Sequence, residues 1–344
     1  MEFNVHNLVK WFQLKYPKVV KSMKEANHHY SGEELNPYHL ESDVFTHTMM
    51  VVLEASRYKG AMDDNLYNQV LICALLHDIG KPMARRENHE KKRVNFYSHE
   101  PLSAFLAIDI LNKIEEEFKI TVDRRVVLEA IAMHTEVFKL TMEKLEERLI
   151  NNPILAKVLM SLSNADHSGR FYDMGDRITE GVSPKITFDP KKEKKVIVNV
   201  GLPCAGKSTT SNRKGFSVIS RDDIVMELAL EQGITEYNKA FDVVDQEEVD
   251  RQLNKRTSLY IREEKDVLID MTNMSRKARK KRLRPFKDYH KVAHVYMTSL
   301  LNIEERNKLR EGKTIPAYVI EKMCKSFYPP LYDEFDEIIW RFNG

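Results

Sequence analysis

The sharpest chemical signal in the chain is Gly201-Leu-Pro-Cys-Ala-Gly206-Lys207-Ser208, which fits G-x-x-x-x-G-K-[ST] without a mismatch. The pattern has a physical reason. Glycines let backbone N–H groups turn inward around the phosphates of a nucleotide, and the helix that follows adds partial positive charge at its N-terminus. Lys207 can reach the β- and γ-phosphates, the Ser208 hydroxyl can ligate Mg²⁺, and Thr209 continues the loop into the helix. Cys204 reads as a small loop residue. Further on, Ser220-Arg221-Asp222-Asp223 offers a carboxylate that could take the proton of an attacking hydroxyl, or two aspartates that merely cap a helix. Asp270 closes a second apolar run and could hold Mg²⁺, orient a water or serve as a cap. Arg306 and Arg310, four apart in Arg306-Asn-Lys308-Leu-Arg310, share one helical face. Guanidinium forks there would match a transferring phosphoryl group; a solvated helix face is the other reading.

A second constellation lies earlier: His47, His77-Asp78, His99, His134 and Asp166. Imidazole and carboxylate together suit divalent first-row metals. Any one of these histidines alone is an ordinary core or surface residue; the joint pattern, drawn from separate predicted helices, is that of a site built inside a bundle.

Both sets resemble known families. Gly201–Thr209, Ser220–Asp223, Asp270–Asn273 and Arg306–Arg310 with the following Gly-Lys-Thr-Ile-Pro316 resemble the kinase domain of phage-type polynucleotide kinases. The resemblance implies Asp222 as general base for a 5′-hydroxyl and Arg310 as the lid arginine, with Arg306 in support. Two positions depart from it. Val225 stands where that family has an acceptor-binding arginine, and Met271 intervenes before Thr272-Asn273. His47-Thr48, Leu75-Leu-His77-Asp78-Ile-Gly-Lys81-Pro82, Ser98-His99-Glu100, Met133-His134 and Ala165-Asp166 through Gly169-Arg170 resemble the HD-domain phosphohydrolases. That resemblance implies one metal on His47, His77, Asp78 and Asp166, and a second completed by His99 and His134. Lys81 and Arg170 would hold the substrate phosphate, and His39 and Glu41 would line the pocket. Mn, Fe, Co, Ni and Mg all serve in that superfamily.

The elements that must position these residues follow from periodicity. Apolar residues recur at helical spacing over Val44–Ala55, Gln69–His77, Leu102–Ile114, Arg124–Met133 and Ile154–Ala165, with Asp123 as an N-cap. A helical bundle is expected over residues 1–180. Gly181–Lys195, with Pro184, Pro190 and a lysine run, reads as a linker. From 196 to 344 short apolar runs (Lys195–Val200, Phe216–Ile219, Asp266–Asp270, Val292–Tyr296) alternate with helices, which predicts a parallel sheet in an α/β domain. The expected fold is therefore a helical HD-type domain followed by a P-loop kinase domain.

Composition separates the halves further. Residues 1–184 carry 23 Lys+Arg against 27 Asp+Glu, residues 185–344 carry 31 against 25, and 10 of the 12 histidines precede 185. Arg276–Arg284 holds seven cations in nine residues, either a contact for a phosphate backbone or a solvated helix. No apolar run of membrane-spanning length and no secretory signal is evident, and the three cysteines are too scattered for a disulfide framework, so a cytoplasmic protein is expected. Together the two resemblances are those of bifunctional HD-domain polynucleotide kinases, which heal nucleic-acid ends. They imply ATP or another NTP with Mg²⁺ in one site and one or two divalent metals (Mn, Co, Ni or Fe) in the other. RNA or DNA ends would be the substrates, and a ligase would act downstream. A phosphohydrolase–kinase fusion for small nucleotides or metabolites is the alternative. A non-catalytic nucleotide sensor is disfavoured because no ligand position is missing.

Overall fold

The structure is a computed structural model and describes residues 1–30, 36, 39–170, 184–186, 192–210, 215–310 and 314–343. It divides into two compact units, Met1–Ile186 and Thr187–Gly344. Residues 181–183 and 187–191 of the expected linker lie outside the described residues, as do Gly312 and Lys313.

The first unit is helical. Its centre is the helix Asp64–Leu76, in which every residue from Gln69 to Leu76 is buried. A helix that is apolar all round belongs in a core. Around it pack Val44–Ser56, Arg124–Met133 and Pro153–Ser168, and Arg124–Met133 also packs on His99–Phe118. Local chemistry sets the helix starts: Asp43, Asp63 and Asp123 each accept from a backbone N–H three residues on. The central helix stops at His77, so His77 and Asp78 emerge inside the bundle rather than on its surface. Residues 5–25, which carry no recognisable motif, form the helices Val5–Lys15 and Pro17–Glu25. Phe3 and Trp11 meet Phe118 edge-on, with ring centroids 5.3 and 5.7 Å apart. A two-stranded antiparallel hairpin, β1 (Arg86–Asn88) and β2 (Arg93–Asn95), interrupts the helices.

The second unit holds a five-stranded sheet, every pair of it parallel: β3 (Lys195–Val200), β4 (Ser217–Ile219), β5 (Val267–Ile269), β6 (His290–Met297) and β7 (Glu337–Phe342) in the order β4-β5-β3-β6-β7. The central strand β3 pairs Val198 with Ile269 on one side and with Ala293 on the other. Parallel strands end at one edge, where such sheets hold their ligands. That edge gathers the loop after β3, Ser220–Asp223 after β4, Asp270–Asn273 after β5, and Thr298 and Asn343 after β6 and β7. The edge strand β7 is the element the sequence reading lacked. Among the described residues no helix is long and apolar enough to cross a membrane.

The basic helix Arg276–Leu283 resolves into two sets. Arg279 is fully buried, donating to the carbonyls of Met274 and Tyr328 and pairing with Glu334 at 2.7 Å, and Arg276 pairs with Asp333. Lys277, Lys280, Lys281 and Arg284 are exposed. Two of the seven cations are thus structural.

Candidate functional site

In the first unit the histidines and carboxylates converge. His47 Nε2 lies 3.0 Å from Asp166 Oδ1 and 3.7 Å from Asp78 Oδ2. His77 Nε2 is 3.1 Å from Asp78 Oδ2, His99 Nε2 3.1 Å from Asp78 Oδ1, and His134 Nε2 3.7 Å from the same oxygen. The opposite ring edges explain this orientation. His77, His99 and His134 each donate Nδ1–H to the backbone carbonyl three residues earlier, of Ala74, Phe96 and Ile131, at 2.8–2.9 Å. His47 Nδ1 faces Glu41 Oε1 at 2.9 Å. Holding the proton on Nδ1 leaves Nε2 as a bare lone pair, the arrangement typical of metal-binding imidazoles.

These lone pairs are only partly matched within the protein. His47 Nε2 meets Asp166 Oδ1, whereas His77 Nε2 is buried without a well-formed hydrogen bond among the described residues. His99 Nε2 and His134 Nε2 approach to 3.2 Å. Two like lone pairs so close, beside two buried carboxylates, call for a cation between them. His47, His77 and Asp166 form one group of potential ligands, and His77, Asp78 and His134 another. The residues therefore fit a divalent metal centre. The electrostatics of the carboxylates and of His134 agree, while against its burial His47 is raised by Asp166 and Glu41. Burial opposes charge on Asp78, yet His77 and Lys81 hold its carboxyl well below the usual range; for Asp166, Arg170 and His47 outweigh burial in the same way. His134 is pushed down to about 4 by burial and by the neighbouring His99 and His77, so it is neutral and ligand-competent near pH 7. Lys81 Nζ sits 2.7 Å from Asp78 Oδ2, and Arg170 Nη2 3.0 Å from Asp166 Oδ2. His39 Nδ1 lies 2.7 Å from Glu41 Oε1 and is one step removed from the centre. His28, buried against this cluster, is a residue the sequence reading missed; nothing in its spacing signals it.

Gly80 fixes the approach. A Cβ there would stand 2.6 Å from the His99 carbonyl oxygen and from the Ser103 nitrogen. The Gly80 N–H also donates to Ser103 Oγ at 2.9 Å. The turn after Asp78 thus lies directly against the helix that carries His99.

In the second unit a cavity of about 920 Å³ opens at the strand ends. Gly206, Lys207, Ser208, Asp222, Asp270, Arg306 and Arg310 all line it. Gly201 belongs to the same loop. The side chain of Thr209 lies outside the described residues. Gly206 needs its positive φ of 87°, and Asn343 Nδ2 would stand 2.8 Å from an added Cβ. Lys207 Nζ caps the Gly201 and Leu202 carbonyls at 2.8 and 2.7 Å. Burial pushes its ammonium down to about 8, while Asp270 and Asp222 pull the other way. Asp270 accepts from Asn199 Nδ2 at 3.0 Å, from the middle of the sheet. Arg306 Nη1 donates to the Cys204 carbonyl at 3.3 Å, and Arg310 Nη1 lies 3.5 Å from the Cys204 sulfur. Cys204, with φ 64°, is part of the loop's shape rather than a passenger.

Asp222 has a partner that sequence reasoning missed. The Tyr237 hydroxyl donates to Asp222 Oδ2 at 2.7 Å, and the Tyr237 ring sits 4.8 Å from that of Phe241. Both aromatics line the cavity. Ser220 caps the helix through the Asp223 N–H, which frees Asp222 from the capping role. Val225 is fully buried and lies in the core.

Comparisons with known proteins agree with this division. Residues 44–162 match the family described as "HD domain", and residues 196–330 match the one described as "AAA domain" (AAA_33). A solved structure described as "Structure of the Pnkp1/Rnl/Hen1 RNA repair complex" is similar over 40% of this chain, at 20% identity and a TM-score of 0.33. The similarity spans 45% of that chain, less than half its length.

Proposed function

We propose that the chain, with its HD-domain match over residues 44–162 and its AAA_33 match over 196–330, is a fused phosphohydrolase and kinase that heals nucleic-acid ends. The HD domain removes a 2′,3′-cyclic, 2′- or 3′-terminal phosphate, and the P-loop domain phosphorylates a 5′-hydroxyl from ATP or another NTP. Products of these two reactions are the 3′-hydroxyl and 5′-phosphate that a ligase joins. The observation that carries the reading is the acceptor half of the P-loop cavity. There Asp222 stands beside an aromatic pair, Tyr237 and Phe241, a wall suited to the base of a nucleotide acceptor.

In the first domain His47, His77, Asp78 and Asp166 would hold one divalent ion, with His99 and His134 completing a second. When bound, such ions supply an activated water and charge for the phosphoryl oxygens. Lys81 and Arg170 keep Asp78 and Asp166 ionised and offer N–H donors to the substrate phosphate. In the second domain the loop from Gly201 to Ser208 would cradle the NTP phosphates, and Ser208 with Asp270 would hold Mg²⁺. Lys207 moves from its two carbonyls to the β- and γ-phosphates. Asp222 accepts the proton of the attacking hydroxyl as its oxygen bonds the γ-phosphorus and the bond to the β,γ-bridging oxygen breaks, releasing the nucleoside diphosphate. Arg306 and Arg310 stabilise the charge on the transferring group.

Burial of Val225 favours one rival, because Val225 stands where phage-type kinases have an acceptor-binding arginine. That rival is a kinase for mononucleotides. Phosphorylation of a 5′-hydroxyl oligonucleotide and of a nucleoside 3′-phosphate, compared in kcat/KM, decides between them. The end-healing reading expects the oligonucleotide to win by at least about tenfold, which is about 1.4 kcal/mol of extra transition-state binding. Equal use of both would contradict it.

A further inference from the structure

Beside the six-ligand centre lies a second group of metal-ligating side chains: His28, together with His39 and Glu41, which the sequence reading placed along the pocket wall. His28, His39 and Glu41 each present one ligand atom, all within 4.8 Å of one another. The segments that carry them are fastened together. Asn27 pairs with Asp43 in an antiparallel bridge, the His28 N–H donates to the Ser42 carbonyl at 2.7 Å, and Arg85 Nε donates to the Asn27 carbonyl at 2.9 Å. The cluster is thus held on a braced backbone, as a preorganised site requires.

His28 is the telling member. It is only 1% exposed, and among the described residues neither ring nitrogen has a hydrogen-bond partner. Its ring stacks on His39 at 4.2 Å and meets His47 edge-on at 5.9 Å. A neutral imidazole has one N–H to donate and one lone pair to offer. Burying both without partners is costly, and a histidine used only for packing would be better replaced by an apolar residue. Lys81, whose charge is felt at His28, is already paired with Asp78.

We propose that His28, His39 and Glu41 form a further divalent metal site, on the opposite side of His47 from Asp78. Two imidazoles and one carboxylate are the donor set of open-positioned zinc and non-haem iron sites. Nitrogen donors select Zn²⁺, Mn²⁺, Fe²⁺, Co²⁺ or Ni²⁺ over Mg²⁺. Glu41 couples this site to the inner one, because its Oε1 also faces His47 Nδ1 at 2.9 Å. The remaining coordination positions suit water or phosphate oxygens. The inference depends on the ligand geometry and not on which phosphoester the domain cleaves.

The test counts ions. Full-length protein without nucleotide is stripped with chelator, reloaded with Mn²⁺ or Zn²⁺, desalted and analysed for metal per chain. His28→Ala is expected to hold about one ion fewer than wild type while keeping the inner ions, since one three-ligand site is lost. His39→Ala, at a less buried position, gives the same loss and covers the case in which His28→Ala does not fold. Reloading with Co²⁺ adds a spectroscopic readout: both variants lose one component of the visible d–d absorption. Metal content and spectra equal to wild type in the folded variants would overturn the proposal.

Discussion

At the scale of single residues, two side chains of the P-loop cavity lend themselves to direct tests. Lys207 is depressed to about 8 because it is buried without a phosphate. Triphosphate favours its charged form, so bound nucleotide raises that value. Below pH 8 the ammonium is already charged and binding needs no proton; above pH 8 binding must take one up. Nucleotide affinity is therefore expected to fall as pH rises from 7 to 9, by up to about tenfold per unit above 8, and Lys207→Met is expected to abolish that slope. Calorimetric titration at the two pH values measures it. Tyr237 is the second case. Tyr237→Phe keeps the ring beside Phe241 and removes the hydroxyl that positions Asp222. It is expected to lower kcat about tenfold with little change in acceptor KM, the signature of an interaction made in the transition state. A raised KM at unchanged kcat would instead assign Tyr237 to acceptor binding alone.

At the scale of elements, the central helix Asp64–Leu76 and its stop at His77 deliver two of the candidate metal ligands, His77 and Asp78, and Gly80 sets the spacing to the next helix. Gly80→Ala is expected to displace His99, because its Cβ would meet backbone atoms at 2.6 Å and not a yielding side chain. Phosphoesterase activity falls at least about tenfold in that variant, consistent with small misplacements at a catalytic centre, while kinase activity stays at wild type. Arg279→Ala makes the converse prediction. It removes the closer of Glu334's two guanidinium partners, leaving Arg276 at 3.2 Å, and is expected to cost about 3 kcal/mol, read as a lower urea midpoint. The same elements explain what the sequence could reveal. The string from Leu75 to Pro82 is contiguous, so helix end, ligands and turn are written together. The loop from Gly201 to Ser208 is equally local, and apolar runs mark β3, β5 and β6. Strand β7 lies at a sheet edge, with mixed residues such as Glu337 and Arg341 and with only Ile338 buried, and carries little periodic signal. His28, Tyr237 and Asn343 reach their sites only through tertiary packing, and no local pattern points to them. The basic run at Arg276 illustrates the reverse error: charge alone does not reveal that Arg279 is buried.

At the scale of the whole molecule, two compact units carry two chemically distinct centres. The first gathers histidines and carboxylates around a point that demands a cation; the second opens a phosphate-binding edge. Ligands that bind only the folded state stabilise it by mass action. Chelator is therefore expected to lower the thermal transition of the first unit, and nucleotide to raise that of the second, each leaving the other in place. A single transition moved equally by both ligands would contradict independent sites. The central claim is met most directly with one oligoribonucleotide bearing a 5′-hydroxyl and a 2′,3′-cyclic phosphate. It is incubated with the full chain, ATP and Mg²⁺, and separately with Mn²⁺, Co²⁺ or Ni²⁺, beside Lys207→Ala and Asp78→Ala. The account predicts that both ends are remodelled by the wild type, that Lys207→Ala loses only the 5′ reaction, and that Asp78→Ala loses only the 3′ reaction. Unchanged oligonucleotide ends, with free nucleotides or small phosphoesters consumed instead, would contradict it.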